Sequence, residues 1–348
     1  MSLQFIMGNS GSGKSYCLYD TVVREAIENP DKNYLVIVPE QFTMQTQKDL
    51  CLAHPKGGIM NIDVLSFGRL AYRVFEEVGQ DARVVLDDEG KNLVLRKIAG
   101  ECEKDLKVFK GNLKKQGYIS EVKSVLSEFA QYGVDFERLD DFMKEVPPES
   151  YLHYKLDDIR TIYEKFEEYL SEKYITKEEM LDVLSDAVPY SDILKGSVVA
   201  MDGFTGFTPV QNRLIGELFS VCEKVMITVT MDGRENPYVY EHPYQIFALG
   251  KQMVTSLMKI AGEKKTEIEE PICLFERPVY RFRDCSEMAF LETELFRYSG
   301  AKYNGSCESV SLHEVRSPGK EAKYVAESIR RLVRTKGYRY SCLLYTSP

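Results

Sequence analysis

The chain has 348 residues, which suffices for two domains or for one domain with a large insertion. Its 44% hydrophobic and 28% charged residues are typical of globular proteins, and no apolar run approaches the ~20 residues that cross a membrane. A net charge of −9 argues against a protein that coats nucleic acid, but it leaves room for a local DNA-binding groove.

The cysteines and histidines give little support for a metal site. None of the eight cysteines forms a C-x-x-C pair, and only four histidines are present. This pattern predicts reduced thiols in a cytoplasmic protein. No signal peptide is expected, because an apolar strand and a glycine-rich loop begin the chain directly. Since no Ser/His/Asp set or pair of catalytic carboxylates stands out, acyl-transfer chemistry has little basis.

The first 78 residues alternate between apolar and amphipathic segments. The predicted elements are strands at 3–7, 34–38 and 62–65, helices at 16–27 and 43–52, and a helix that starts at the cap Ser66 and runs to Val78. Continuous apolar runs suit the strands of a parallel sheet that is covered on both faces. The alternation therefore predicts a doubly wound α/β sheet.

The segment between the first strand and the first helix carries the most informative motif. It matches G-x-x-x-x-G-K-[ST] in full, with Gly8, Asn9, Ser10, Gly11, Ser12, Gly13, Lys14 and Ser15. In such a loop the backbone N–H groups wrap phosphates, the lysine reaches the β/γ oxygens, and the hydroxyl after it ligates Mg²⁺. The strand–loop–helix context predicts a Mg²⁺-nucleotide site, the alternative being a chance Gly/Ser-rich turn.

Helical spacing dominates the middle of the chain, from residue 86 to 189. Ile119, Val122 and Leu126 share one helical face, and Thr176 with Glu179 is a capping-box pattern. We predict an all-helical insertion here. The α/β pattern then returns. Its predicted elements are strands at 197–201, 225–230 and 309–315, helices at 209–219, near 243–261, at 286–297 and at 318–334, and an extended piece near 271–283.

Asp202 follows the strand that resumes the sheet. This is the usual place for a Walker B carboxylate that holds Mg²⁺ through water, although a strand-end aspartate can also simply cap a turn. Hydrolytic P-loop enzymes usually place a glutamate next, to orient the attacking water, and here the next residue is Gly203. The pair predicts nucleotide binding with weak or absent hydrolysis, so we assign no catalytic residue with certainty.

Two further segments end strands on the same predicted edge of the sheet, where open α/β sheets bind ligands. Phe42 has the chemistry to stack on a base, and Thr43 and Gln45 the chemistry to bond phosphate or base. Taken alone, these residues favour a helix start, with Thr43 as N-cap and Phe42 as a hydrophobic staple. Ser66 and Arg69 follow the next strand, and Arg69 is either a phosphate contact or a solvated helix arginine.

The order of these parts resembles the AddB family, called RexB in some lineages. The phosphate loop is shared by many families, whereas Val-Pro-Glu-Gln-Phe-Thr at 38–43 and Asp-Gly-Phe at 202–204 are the specific segments. Ser-Phe-Gly-Arg-Leu at 66–70 agrees as well. Family members belong to the bacterial ATP-dependent helicase/deoxyribonuclease AddAB and have a superfamily 1, UvrD-like helicase fold. The resemblance extends to about Tyr340.

The resemblance implies a P-loop NTPase (RecA-like) parallel sheet with a helical insertion and the start of a second RecA-like domain. Residues 1–85 and 190–308 look like helicase domain 1A, 86–189 like the insertion domain 1B, and 309–340 like the opening of domain 2A. That domain needs a further strand, typically beginning Asp-Ile-Ala-Val. Residues 341–348 read Ser-Cys-Leu-Leu-Tyr-Thr-Ser-Pro instead, so we predict a non-native tail there.

The resemblance also implies ligands and partners. ATP and Mg²⁺ are the expected cofactors, with Gln211 where relatives place a glutamine after the Walker B strand. Single- and double-stranded DNA are expected partners, which favours DNA contact over a purely structural role for Phe42 and Thr43. The other expected partner is AddA, the main motor of a heterodimer that processes DNA double-strand breaks. The family's nuclease domain and iron–sulfur cluster are expected beyond residue 348.

The departures from the family pattern indicate a poor motor. Active helicase relatives carry Asp-Glu at 202–203, a glutamine after the next strand, and an adenine-reading glutamine upstream of the loop; all three are missing here. Two other functional classes stay open. One is a non-enzymatic nucleotide-binding DNA scanner, and the other is a P-loop small-molecule kinase, against which the large helical insertion argues.

Overall fold

The computed structural model describes residues 1–79, 84–113, 115–170 and 174–340. The chain divides into one unit at 1–281 and a second from Phe282 onward. The strands are β1 (Ser2–Gly8), β2 (Tyr34–Ile37), β3 (Ile62–Leu65), β4 (Val84–Leu86), β5 (Tyr174–Thr176), β6 (Val198–Met201), β7 (Lys224–Thr230), β8 (Glu267–Ile268) and β9 (Ile272–Leu274). Among the described residues, no helix is long and apolar enough to cross a membrane.

Twelve α-helices accompany these strands in the described part of the chain. They are α1 (Lys14–Glu28), α2 (Thr43–Ala53), α3 (Phe67–Val78), α4 (Asp88–Glu101), α5 (Gln116–Tyr132), α6 (Phe136–Glu145), α7 (Tyr151–Leu170), α8 (Glu179–Ala187), α9 (Pro209–Val221), α10 (Ala248–Lys264), α11 (Ser286–Glu294) and α12 (Pro318–Lys336). The predicted helices of the first 78 residues are confirmed, each within about two residues at either end.

The main sheet has the order β3-β2-β6-β7-β1-β8, with β9 also pairing with β1, and every pair is parallel. The predicted α/β fold with a mostly parallel sheet is therefore confirmed. All residues of β2 and β6 are buried because both faces of the sheet are covered. Since the strands are parallel, the carboxyl ends of β1, β2, β6 and β7 meet at one edge.

Two apolar layers cover the sheet. On one face, α1 contributes Leu18, Val22 and Ala26 to a core that includes Val36 of β2 and Ala200 of β6. The other face packs against residues of α3, α8, α9 and α10. Thus α8, although it lies within the predicted insertion, buries Met180 and Leu184 against the sheet.

A separate core holds the helical block, formed by α4 to α7. Its centre includes Leu95, Ile119, Leu126 and Ile162. The prediction of an all-helical stretch is wrong in one respect, because β5 lies within it and pairs in parallel with β4. Both strands have only three residues, so neither shows enough alternation to be recognised from sequence.

Several boundaries after residue 240 differ from prediction. The helix expected near 243–261 begins at Ala248, because Phe247 has a φ of 61° and stops the helix upstream. The helix expected at 286–297 ends at Glu294, before Phe296 and Tyr298, both of which are also left-handed. The extended piece at 271–283 forms a strand only over Ile272–Leu274.

The second unit contains α11, α12 and the connection between them. Glu287 of α11 accepts hydrogen bonds from the backbone N–H groups of Glu308 and Ser309. The strand predicted at 309–315 is wrong, since no described strand pairs with this segment and a strand needs a ladder partner. Ser317 caps α12 as predicted, accepting from the Lys320 N–H. The predicted tail at 341–348 lies outside the described residues.

Candidate nucleotide-binding site

The loop between β1 and α1 forms a tight cradle at the carboxyl edge of the sheet. Gly11 and Gly13 have φ angles of 85° and 96°, a left-handed conformation that glycine adopts without strain. A Cβ on Gly8 would lie 2.8 Å from the Leu274 carbonyl oxygen, so a side chain there would displace the loop from β9. These glycines let the backbone wrap closely around the space before α1.

Lys14 begins α1 and turns back over this loop. Its Nζ donates to the carbonyl oxygens of Gly8 and Asn9, each at 2.9 Å. Burial lowers the Lys14 pKa to about 8, the charge of Asp202 counteracts part of that shift, and Arg281 lowers it further. A partly buried ammonium held by neutral carbonyls is a group that an anion would stabilise.

The hydroxyls of the loop complete the cradle. Ser12 Oγ is buried and has no hydrogen-bond partner. Ser15 lies in the first turn of α1 with its side chain exposed. A buried hydroxyl without a partner is uncommon, and a phosphate oxygen beside it would satisfy it. The donors present therefore fit a phosphate group. No cluster of three or more His, Cys, Asp or Glu side chains in the described ranges is arranged to hold a metal.

Asp202 lies at the end of β6, 7% exposed, with both carboxylate oxygens engaged. Tyr19 Oη donates to Oδ2 at 2.8 Å, and Thr228 Oγ1 donates to Oδ1 at 2.6 Å. Gly203 follows with a φ of 80°. The predicted carboxylate thus faces the sheet edge, oriented by two hydroxyl donors that the sequence analysis had not identified.

A further buried carboxylate, Asp232, follows β7. It accepts from the guanidinium groups of Arg234 at 2.7 Å and Arg277 at 2.6 Å. Burial alone would raise its pKa, but the hydrogen bonds from Arg234 and the charge of Arg277 outweigh burial and hold the pKa well below its usual range. No local sequence pattern predicts this cluster, because Arg277 lies 45 residues from Asp232 along the chain.

The segment that leads into α2 lies beside Asp202. Phe42 is 46% exposed, and its ring edge lies 3.8 Å from where a Cβ on Gly203 would stand. Thr43 is buried and donates its hydroxyl to the Glu40 carbonyl at 3.0 Å, so it is not the N-cap of α2. Gln45 is exposed and donates to Asp49. The edge therefore brings Phe42 close to the strand end that carries Asp202.

The other predicted side chains have local partners. Ser66 Oγ accepts from the Arg69 N–H and caps α3, while the Arg69 side chain is exposed. Gln211 Oε1 accepts from the Thr208 N–H in the capping box of α9. The oxygen of Gln211 is thus used within its own helix start.

Tyr19 was not predicted as a site residue from the sequence. It stands four residues after Ser15, on the same face of α1. That spacing was a usable signal, since a polar ring on this face lies next to whatever the phosphate loop binds. No local pattern marked Thr228, which sits inside the apolar strand β7.

Comparison with known proteins places the chain in a family. A family model described as ADDB, N-terminal, matches residues 5–292. The B subunit of the ATP-dependent helicase/deoxyribonuclease of Lachnoclostridium phytofermentans is 41% identical over all of this chain. The proteins of the same name from Thermoanaerobacter sp. (strain X514) and Clostridium tetani are 35% and 33% identical over 100% and 98% of it.

In each case the matched region is 30% of the relative, so the chain spans about a third of the length of these proteins. The resemblance seen in the sequence is confirmed by these matches. Because the family model covers most of its residues, the chain belongs to the AddB N-terminal family.

Proposed function

We propose that this chain is the nucleotide- and DNA-binding N-terminal part of an AddB protein. The observation that carries the proposal is the loop at 8–15, where a partly buried Lys14 of lowered pKa and an unpartnered Ser12 hydroxyl face a glycine cradle. Its proposed location is the cytoplasm, and its proposed partner is AddA. Together they would form a heterodimeric ATP-dependent helicase-exonuclease that processes DNA double-strand breaks.

The proposed domain organisation follows the helicase pattern. Residues 1–85 and 190–308 form a P-loop NTPase (RecA-like) domain 1A, 86–189 form the insertion domain 1B, and 309–340 begin domain 2A. Two observations support this division: the parallel sheet contains strands from both sides of the insertion, and the helical block has a core of its own. The nuclease domain and iron–sulfur cluster of the family would belong to a region beyond residue 348.

ATP with Mg²⁺ is the proposed ligand. The loop N–H groups and Lys14 would hold its phosphates, with Ser15 and Asp202 as the residues on this chain that hold the Mg²⁺. When bound, Mg²⁺ neutralises phosphate charge. Asp202 would supply the carboxylate, which in the structure accepts hydrogen bonds from Tyr19 and Thr228. Gln211 is proposed as a further nucleotide contact, through its amide nitrogen.

Hydrolysis on this chain is proposed to be weak. Gly203 offers no carboxylate beside Asp202, and its φ of 80° is one that a glutamate adopts only with strain. Attacking water would therefore lack a positioned base. The same observation favours a second candidate function, a scanner that binds nucleotide without turning it over. ATPase activity stimulated by single-stranded DNA at the rate of an intact helicase would exclude the scanner.

The proposed DNA path runs along the carboxyl edge of the sheet. Phe42, Gln45 and Arg69 are exposed there and supply an aromatic face, an amide and a guanidinium. Thr43 and Ser66, also predicted DNA contacts, use their hydroxyls within their own turns and would act by shaping this edge. Both single- and double-stranded DNA are proposed partners.

Calorimetric titration of the full chain with Mg-ATP tests the proposal. We expect Lys14→Ala to abolish binding, because the variant loses the partly buried cation of the loop. Lys259→Ala, on the exposed face of α10, is the matched control and is expected to bind like the wild type. Equal affinity of wild type and Lys14→Ala would remove the phosphate-loop assignment.

A further inference from the structure

A single hydroxyl joins three elements at the candidate nucleotide site. Tyr19 Oη of α1 donates to Asp202 Oδ2 at 2.8 Å and lies 3.2 Å from Thr46 Oγ1 of α2. Asp202 and Thr46 are 7% and 4% exposed, so water has little access to the contact. The position of α2 is therefore tied, through one side chain, to the carboxylate that follows β6.

The Tyr19 hydroxyl has one proton and two neighbours that compete for it. Tyr19 Oη donates this proton in a hydrogen bond to the Asp202 carboxylate, which is the stronger acceptor. Thr46 Oγ1 therefore donates to the phenol oxygen of Tyr19. Burial first, and then the charge of Asp202, raise the Tyr19 pKa well above its usual range, so the proton stays on the phenol. A reversed arrangement, in which Tyr19 donates to Thr46 and not to Asp202, would change the direction of the Tyr19–Thr46 bond.

The α2 side of this contact carries the candidate DNA residues. Thr46 lies within one helical turn of Phe42, Thr43 and Gln45, so a change at its hydroxyl acts on the start of α2. Phe42 also borders Gly203, the residue after Asp202. Two independent contacts thus connect the end of β6 with the segment proposed to touch DNA.

We propose that Tyr19 is a positioning residue that couples occupancy of the nucleotide site to DNA binding at the start of α2. The proposal rests on the proposed function, since it assumes that both ligands bind. Asp202 can release Oδ2 from Tyr19 when a cation beside the loop phosphates attracts it. Tyr19 then donates to Thr46 instead, and Thr46 becomes the acceptor. Bound DNA that favours one arrangement of α2 favours the matching state of Asp202 by the same factor.

The test is a thermodynamic cycle on the full chain. The affinity of Mg-ATP is measured with and without saturating oligo-dT, and that of oligo-dT with and without Mg-ATP. We expect the two ligands to change each other's affinity by about tenfold in the wild type, the scale of one charge-assisted hydrogen bond. In Tyr19→Phe we expect the coupling factor to fall close to one, whatever the affinity of each ligand alone.

Four further variants separate coupling from folding. Thr46→Val is expected to lose coupling as Tyr19→Phe does, and the double variant to lose no more than either one. Thr46→Ser keeps the hydroxyl and is expected to keep coupling. Tyr16→Phe, 74% exposed on the same helix, is the matched control and is expected to behave like the wild type.

The outcomes are distinguishable. Full coupling in Tyr19→Phe, or a wild type that binds both ligands independently, overturns the role of Tyr19 and leaves the proposed function intact. A wild type that binds no Mg-ATP, and so matches Lys14→Ala, overturns both. Loss of coupling in Thr46→Ser together with lowered thermal stability would show that the contact serves only packing.

Discussion

The ionisation of Lys14 predicts how nucleotide binding depends on pH. Burial lowers its pKa to about 8 in the free protein. A bound phosphate stabilises the charged form and raises that pKa, so binding above pH 8 takes up a proton. We expect the affinity for Mg-ATP to be flat below pH 8 and to fall by up to tenfold per pH unit above it.

Calorimetry at pH 8.5 in buffers of different ionisation enthalpy measures that proton directly. The same titration at pH 6.5, where Lys14 is already charged, is the control and should show no uptake by this group. Affinity independent of pH between 7 and 9.5, with no proton uptake, would mean that Lys14 does not meet the phosphates.

Gly203 gives the second prediction at this scale. Replacing it by glutamate adds a carboxylate beside Asp202, but the left-handed φ of 80° opposes any residue with a Cβ. We expect Gly203→Glu to lower stability by about 1–2 kcal/mol and to leave ATP turnover unchanged. Unfolding curves and an ATPase assay with single-stranded DNA measure the two effects.

The control variant Gly203→Ala has the same backbone strain as Gly203→Glu but adds no carboxylate. Comparing the two variants therefore separates the effect of strain from that of charge. A tenfold gain in turnover for Gly203→Glu over Gly203→Ala would show that this position can accept a catalytic base after all.

Residue patterns predicted part of the site and missed part of it, for one physical reason. The loop at 8–15 is local in sequence, so its motif was sufficient to locate Lys14. The partners of Asp202 come from α1 and β7, with Tyr19 183 residues away along the chain. Contacts of that kind depend on how strands are ordered in the sheet, which no local spacing encodes.

The helices whose first residues carry a capping pattern were the most predictable elements. Ser66 was predicted as a cap and accepts from the Arg69 N–H, and the predicted Thr176–Glu179 pair exchanges both bonds of a capping box. Continuous apolar runs located the long strands because burial on both faces leaves that pattern. The short strands β4 and β5 had no such signal, and the segment at 309–315 shows that an apolar alternation without a partner forms no strand.

Asp158 provides the element-scale prediction. This buried residue of α7 accepts the backbone N–H groups of Lys107, Val108 and Phe109 at 2.7–2.8 Å, so it fixes the loop after α4. We expect Asp158→Ala to lower the free energy of unfolding by about 3 kcal/mol, because three donors lose a charged acceptor. Denaturant unfolding followed by circular dichroism measures it.

The neighbouring Asp157 is the matched control for this variant. It forms a surface ion pair with Lys107 at 2.9 Å, and such pairs contribute at most about 1 kcal/mol. A cost for Asp158→Ala no larger than that for Asp157→Ala would contradict the assigned role of the buried carboxylate.

At the scale of the molecule, two packed regions share one continuous chain. The helical block has a core around Ile162, separate from the cores that flank the sheet. We expect Ile162→Ala to cost about 2–5 kcal/mol and to lower hydrogen-exchange protection in α4 to α7, while β2 and β6 keep theirs. Native-state exchange read by mass spectrometry resolves the two regions.

Val199→Ala, on the sheet side, is the reciprocal variant and should lower protection in β2 and β6 first. Equal loss of protection in both regions from either substitution would mean that the two cores unfold as one cooperative unit.

The small ladder between β4 and β5 has a consequence for how the protein assembles. Two parallel neighbours must be joined by a crossover connection, and here that connection is the whole helical block. Closing a flexible loop of about 90 residues costs roughly 4 kcal/mol of chain entropy, which a ladder of three residue pairs does not offset by itself. We therefore expect the ladder to close only after the helical block has condensed.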